Sequence, residues 1–166
     1  ITRVSKAMFQ DCESLENITI PDGVTVIDQY AFMLCEALLE ITIPDSVATI
    51  AYSAFNACRG ITRITVGSGV TSMSQNAFYD CGNLTDFTIA SPIKGNMQFN
   101  FSSKLTIDSL KNIINALVDY SGTDKEGKYK ITLHSNCLST LEAEGATAPD
   151  GLTWIDYANV KGWQLA

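Results

Sequence analysis

Cysteines are the residues whose spacing most directly raises the question of a chemical site. The chain has five of them, and the first four recur at intervals of 23 residues: Cys12, Cys35, Cys58, Cys81 and Cys137. None of them lies in a C-x-x-C pair, and the chain has a single histidine, so the ligand pattern of a zinc site is missing. We predict that the four repeated cysteines are small buried thiols, and that the chain uses neither a metal nor a cofactor.

The fifth cysteine and the histidine lie close together in the C-terminal part of the sequence. Cys137 follows a predicted strand that ends at Leu133, and we expect it to be partly exposed, so it is the better candidate for an unpaired or intermolecular thiol. His134 should point outward, because Ile131 and Leu133 would point inward on an alternating strand. A Ser–His–Asp or Cys–His centre therefore cannot be built from the sequence.

Paired carboxylates could in principle act as the acid and base of a glycosidase, which needs them about 5 to 10 Å apart. Asp22 and Asp45 occupy equivalent positions 23 residues apart, and so do Glu40 and Asp86, with Arg63 between them. In a repeating structure such distances arise by construction, and turn chemistry after proline explains the first pair. We predict that the chain has no catalytic residues and is not an enzyme.

A repeated motif is the element that positions all these residues. It is A-F-x-x-C-x-x-φ-x-x-φ-x-φ, where φ is apolar, and it occurs four times at an unbroken spacing of 23 residues. A fixed period of this length is typical of a solenoid, in which each coil buries its apolar face against its neighbours. Cysteines stacked in this way would have Cα atoms about 4.8 Å apart, but their parallel Cβ vectors suit the torsion of a disulfide poorly.

Each coil should contain two strands joined by turns. In the first full copy, residues 15–20 alternate like a strand, residues 21–23 (Pro-Asp-Gly) stop it, residues 24–27 form a second short strand, and residues 29–35 form a turn that carries Phe32 inward. Stacking these coils makes a parallel sheet along one side and a looser sheet opposite.

The outward positions of the main sheet form two polar columns. Threonine fills one column without a break, which suits an exposed strand but also provides the floor of a recognition surface. The possible binding face consists of both columns: Asn17, Thr19, Glu40, Thr42, Arg63, Thr65, Asp86 and Thr88.

The motif, with V-x-x-I before the next A-F, resembles the BspA-type leucine-rich repeat of bacterial surface proteins over residues 1–93. The resemblance implies a leucine-rich-repeat solenoid of 23-residue repeats, in a secreted or surface-anchored, adhesin-like protein. Residues 94–166 depart from the period and resemble the tail found after such repeats. There we predict strands at 97–101, 130–133 and 163–165, helices that begin at Thr106 and Thr153, and loop at 142–151, which together form an α/β capping unit that continues the sheet.

Composition limits the classes of partner. The net charge of −7 argues against a nucleic-acid or anionic-membrane surface, and no apolar run is long enough to insert in a membrane. The sequence opens inside a repeat and without Met, so we expect a fragment or a processed product, for which the absence of a targeting segment proves nothing.

Three functions are compatible with this sequence. The first is a non-catalytic module, monomeric and extracellular or on the cell surface, that binds a protein or glycan ligand through the sheet face. The alternative is a structural spacer of a surface protein. The third, a cell-surface enzyme, would require a pocket with two carboxylates of perturbed pKa within residues 94–166.

Overall fold

The chain forms a stack of coils with parallel pairing between successive coils. The computed structural model describes residues 1–145 and 147–166. The main sheet has the order β3 (Glu40–Ile43), β5 (Arg63–Val66) and β7 (Asp86–Ile89), and a shorter sheet has the order β1 (Arg3–Val4), β2 (Val26–Ile27), β4 (Thr49–Ile50) and β6 (Ser72–Met73). Paired residues are 23 positions apart in both sheets. The predicted solenoid of 23-residue repeats with a parallel sheet is therefore confirmed.

The apolar columns fill the interior of the stack. Phenylalanine rings stack along it, with centroids 5.1 Å apart between Phe9 and Phe32, 5.0 Å between Phe32 and Phe55, and 5.5 Å between Phe55 and Phe78. The side chains of Phe32 and Phe55 are fully buried. Neighbouring coils thus share a continuous core, because one coil is too thin to bury these rings alone.

Left-handed turns direct backbone N–H groups from one coil to the next. They recur at two positions of the repeat: Ala7, Tyr30 and Ser53, and Asp11, Leu34, Ala57 and Asp80. The N–H of Leu34 donates to the carbonyl of Asn56, and that of Ala57 to the carbonyl of Tyr79, both at 2.9 Å. A non-glycine residue adopts this conformation at some cost, so the contacts between coils must compensate for it.

The C-terminal part is an α/β unit. Its elements are β8 (Met97–Phe99), α1 (Ile107–Asn115), β9 (Tyr129–Leu133), α2 (Ser135–Glu144), a 3₁₀ turn (Pro149–Gly151), α3 (Trp154–Val160) and β10 (Trp163–Leu165). The strands form a parallel sheet in the order β10, β9, β8. Thr106 and Thr153 are the N-caps of α1 and α3, and each accepts a hydrogen bond from the third residue beyond it. The N-cap role of Thr106 was predicted, whereas for Thr153 only the start of a helix was.

Helix α1 covers the edge of the last main-sheet strand. Ser109 Oγ accepts a hydrogen bond from the N–H of Phe87 at 2.9 Å, and Asn112 Oδ1 accepts one from the N–H of Ile89 at 2.7 Å. An uncovered edge strand would leave these donors unpaired. Two helix side chains therefore take the place of the next strand.

The structure corrects three details of the sequence prediction. The C-terminal unit does not continue the main sheet, since its strands form a separate sheet. This sheet meets the end of the shorter repeat sheet, where the N–H of Gln98 donates to the carbonyl of Gln75 at 3.1 Å. Residues 17–20 lack the regular pairing of a strand. Helix α2 begins directly after His134, and its last residues lie in a segment predicted as loop. The boundary near residue 93 stays a prediction.

Candidate binding face

The two polar columns lie side by side on the outward face of the main sheet. Glu40 pairs in register with Arg63 and Arg63 with Asp86, while the threonines of the same strands pair with one another. Residues between them in sequence, such as Ile41 and Ile64, are buried. The alternation of a strand therefore brings six of the eight predicted face residues together: Glu40, Thr42, Arg63, Thr65, Asp86 and Thr88.

The ion pair on this face is long and solvent-exposed. Arg63 Nη1 lies 3.5 Å from Glu40 Oε2, and both side chains are 61% exposed. An exposed pair of this kind contributes at most about 1 kcal/mol to stability, so either partner can turn to a ligand at little cost. Asp86 is more constrained, because its Oδ2 accepts a hydrogen bond from Thr85 Oγ1 at 2.9 Å.

The remaining two predicted residues line a depression at the start of the face. Asn17 and Thr19 lie opposite Glu40 and Thr42 around an open space of about 310 Å³. They therefore belong to the same surface, although their segment is not a regular strand. A depression of this size is near the lower limit of ordinary ligand pockets.

A second depression of about 520 Å³ lies at the ends of the main strands. Thr42 borders both depressions, and Asp22 and Asp45 contribute carboxylates to the second one. The N–H of Ser68 donates to Asp45 Oδ1 at 2.7 Å and its hydroxyl donates at 3.0 Å. These bonds hold the pKa of Asp45 below its usual value, so its carboxylate stays charged. The position of both acids after a proline predicts turns and does not indicate that they lie beside the face.

A large exposed apolar side chain also adjoins the face. Leu39 immediately precedes β3 and is 50% exposed. Its backbone carbonyl accepts hydrogen bonds from the N–H and the hydroxyl of Thr62, which fix this position in the stack. The repeat pattern does not predict this apolar residue, because other copies have a polar residue at the same position, as at Glu16 and Thr62.

The repeated cysteines are interior thiols in three of the four coils. Cys35, Cys58 and Cys81 are fully buried, whereas Cys12 of the first coil is exposed, and all of them are free. Each buried Sγ donates to the carbonyl of the phenylalanine 26 residues earlier: Cys35 to Phe9 at 3.1 Å, Cys58 to Phe32 at 3.0 Å and Cys81 to Phe55 at 3.4 Å. Burial raises the pKa of Cys35 to about 11 and that of Cys81 to about 12.

Cys137 and His134 have structural roles. Cys137 is 1% exposed, and its Sγ donates to the carbonyl of Ser102 at 3.3 Å, so the expectation of a partly exposed thiol was wrong. Burial also raises its pKa. His134 is half-buried and is the N-cap of α2, where Nδ1 accepts a hydrogen bond from the N–H of Asn136 at 3.1 Å.

Metal sites and membrane-spanning helices have structural requirements of their own. Within residues 1–145 and 147–166, no group of three or more His, Cys, Asp and Glu side chains could hold a metal ion. In the same residues, none of the helices has the length and apolar character needed to cross a membrane.

Comparison with known proteins identifies the repeat. The family described as the BspA type leucine rich repeat region matches in six copies across residues 2–120. Neither curated proteins nor solved structures give a significant match. Proteins with this repeat are typically surface or extracellular proteins of bacteria that take part in interactions, and the family is generally non-enzymatic. Because the match covers well over half of the chain and agrees with the observed stack, the chain belongs to the BspA-type leucine-rich repeat family.

Proposed function

We propose that this chain is a non-catalytic, adhesin-like module, extracellular or on the cell surface, that binds a protein or glycan ligand through the main-sheet face. The observation that carries the proposal is the register of the polar columns, which gives a continuous surface across β3, β5 and β7. A regular array of this kind can contact an extended ligand at several points, as the sheet faces of solenoids do.

The chemistry of the face favours ligands rich in hydroxyl or basic groups. Acids outnumber bases there, since Glu40 and Asp86 flank Arg63, and Asp22 and Asp45 line the depression at the strand ends. Threonine hydroxyls accept hydrogen bonds from sugars and donate to them, and carboxylates accept hydrogen bonds from sugar hydroxyls and also pair with lysine or arginine of a protein. Leu39 offers an apolar anchor at the border of the face.

The test is binding to a neutral-glycan array and to a panel of purified extracellular matrix proteins. The triple variant Glu40→Gln, Arg63→Gln and Asp86→Asn should lose a ligand that the unaltered chain binds. A matched control removes the same charges elsewhere, with Glu142→Gln, Lys6→Gln and Asp124→Asn at exposed positions. Binding that survives the face variant, or that is lost equally in both variants, contradicts the proposal.

A spacer that holds another domain away from the envelope is the second candidate, and the continuous ring stack and the bonds between coils support it. A spacer predicts no saturable ligand, and it predicts full function after the face residues are scrambled while the buried columns are kept. The same two variants therefore distinguish the two candidates.

A further inference from the structure

The outward face of the C-terminal sheet carries a groove that the proposed binding face does not include. We name it the cap groove, and its main lining residues come from β8, β9, β10 and the segments beside them: Asn96, Gln98, Lys128, Lys130, Thr132 and Gln164. Its volume is about 260 Å³. Gln75, which follows β6, closes one side, so the cap groove lies at the end of the shorter sheet and not on the main sheet.

The cap groove presents ammonium and amide groups without a carboxylate among its lining residues. Lys128 and Lys130 are exposed, and neither forms an ion pair with any residue that the structure describes. The nearby Glu126 is not among the lining residues, and its Oε2 accepts a hydrogen bond from the N–H of Gly122 at 2.8 Å. Two positive charges therefore face solvent side by side, and neither is neutralised by an ion pair with a lining residue.

The C-terminal part of the chain, which carries the cap groove, is nearly neutral, whereas the repeats are acidic. Residues 1–93 hold ten acids and four bases, whereas residues 94–166 hold eight acids and seven bases. At physiological salt, charges more than about 8 Å apart are largely screened. An anion at the cap groove is therefore governed by the two lysines and only weakly repelled by the acidic repeats.

The amide side chains of the cap groove are held in place before any ligand arrives. Asn96 Oδ1 accepts a hydrogen bond from the N–H of Lys130 at 2.8 Å, and Gln164 Nε2 donates to the carbonyl of Gly127 at 3.0 Å. Each bond uses one end of the amide and leaves the other end for a ligand. Side chains that are fixed in advance lose less entropy on binding.

These features select a class of ligand. Met97 is the large apolar residue of the lining, and it is 2% exposed, so the groove lacks the apolar or aromatic anchor on which protein partners depend. Amides and a threonine hydroxyl suit sugar hydroxyls, and the lysines suit carboxylates. We propose that the cap groove binds a carboxylate-bearing polysaccharide, as a second site separate from the main-sheet face.

The probe is an oligogalacturonate of defined length, titrated into the whole chain by calorimetry at low and at physiological salt. We expect saturable binding that weakens with salt. The fully methyl-esterified oligomer of the same length and poly-glutamate of matched charge should bind at least about tenfold more weakly, because each lacks one half of the recognition, the charge or the hydroxyls. No binding of the oligogalacturonate, or equal binding of either comparison ligand, overturns the proposal.

Variants locate the site. Lys128→Gln with Lys130→Gln should weaken binding about tenfold or more, whereas Lys6→Gln with Lys94→Gln, which removes the same charge from exposed positions outside the groove, should leave it within about twofold. Equal weakening by both pairs would indicate diffuse charge attraction and would overturn the site. Backbone amide shifts of the unaltered chain provide a measurement that is independent of the variants, and they should change along β8, β9 and β10.

The test of the cap groove can succeed or fail independently of the test of the main-sheet face. The face variant with Glu40→Gln, Arg63→Gln and Asp86→Asn should bind the oligogalacturonate unchanged. If that variant loses the ligand while the Lys128 and Lys130 variant keeps it, the cap groove is excluded and the main-sheet face is supported. Amide shifts confined to β3, β5 and β7 lead to the same conclusion.

Discussion

The thiol of Cys58 donates a hydrogen bond from Sγ to the backbone carbonyl of Phe32, 3.0 Å away and one coil earlier. Cys35 forms the same bond with Phe9. Cysteine suits this column because it fills the space and also donates a second hydrogen bond to a carbonyl, here that of Phe32, that already accepts one from the N–H of Cys35 at 3.2 Å. The repeated cysteine is therefore a structural link between coils.

The buried thiols should make the chain less stable at alkaline pH. Burial raises the pKa of Cys81 to about 12, while an unfolded thiol ionises near pH 8.5. Between these values the unfolded state has lost the proton and the folded state still holds it, so the free energy of unfolding falls by about 1.4 kcal/mol per pH unit for this thiol. Below about pH 8 its contribution is constant.

Urea unfolding measured from pH 7 to pH 10.5 checks this expectation. Cys81→Ser keeps a donor for the Phe55 carbonyl but does not titrate, so its stability should fall less steeply with pH than that of the unaltered chain. Cys12→Ser, at an exposed position, retains the buried thiols, so its stability should fall with pH as steeply as that of the unaltered chain. Identical slopes in the two variants would contradict the assigned origin of the effect.

Thiol labelling should separate Cys12 from the other cysteines. In the folded chain a thiol reagent should modify Cys12 readily, and Cys35, Cys58, Cys81 and Cys137 only after unfolding, because they are buried. Mass spectrometry of the labelled peptides identifies the modified residue. Rapid labelling of Cys137 under native conditions would show that α2 does not hold this thiol against the carbonyl of Ser102 as the structure indicates.

Truncation of a ring in the middle coil should cost more than truncation in the first coil. Phe55 is fully buried between Phe32 and Phe78, whereas Phe9 is half-buried and stacks on Phe32 alone among the rings of its column. Phe55→Ala should destabilise the chain by about 3 to 5 kcal/mol, as is usual for core phenylalanine, and Phe9→Ala by clearly less. Equal losses in chemical unfolding would argue against the stacked coils.

The hydrogen bond from the N–H of Phe87, in the last main strand, to Ser109 Oγ should contribute measurably to stability. Ser109→Ala leaves the buried N–H of Phe87 without its partner, and an unsatisfied buried donor costs about 1 to 3 kcal/mol. Hydrogen exchange at Phe87 should accelerate. Ser139→Ala, at an exposed position of α2, is the matched control and should change neither quantity, while a Ser109→Ala variant with unchanged exchange would contradict the role of α1 as a cover.

Periodicity predicted the columns, the register and the buried or exposed side of most repeat residues, because one 23-residue period fixes all of them together. Periodicity wrongly predicted a strand at residues 17–20. This segment alternates like a strand, but it has a neighbouring coil on one side only and lacks regular pairing. Helix α2 escaped prediction because its buried positions are limited to Cys137 and Leu141, too sparse for an apolar stripe. The cap groove could not be predicted, since it depends on where three distant strands meet.

A glycine that lies against the backbone of the preceding coil gives the last prediction. At Gly69, an added Cβ would lie 1.8 Å from the carbonyl oxygen of Asp45, one coil earlier, so the backbone of one of the two coils would have to shift. Gly69→Ala should therefore cost about 2 kcal/mol or more, in the range of overpacked cores. Gly95→Ala meets no atom within 4 Å and should be nearly neutral. Thermal and urea unfolding of the two variants give the comparison, and equal stability would show that neighbouring coils are farther apart at this turn than the structure places them.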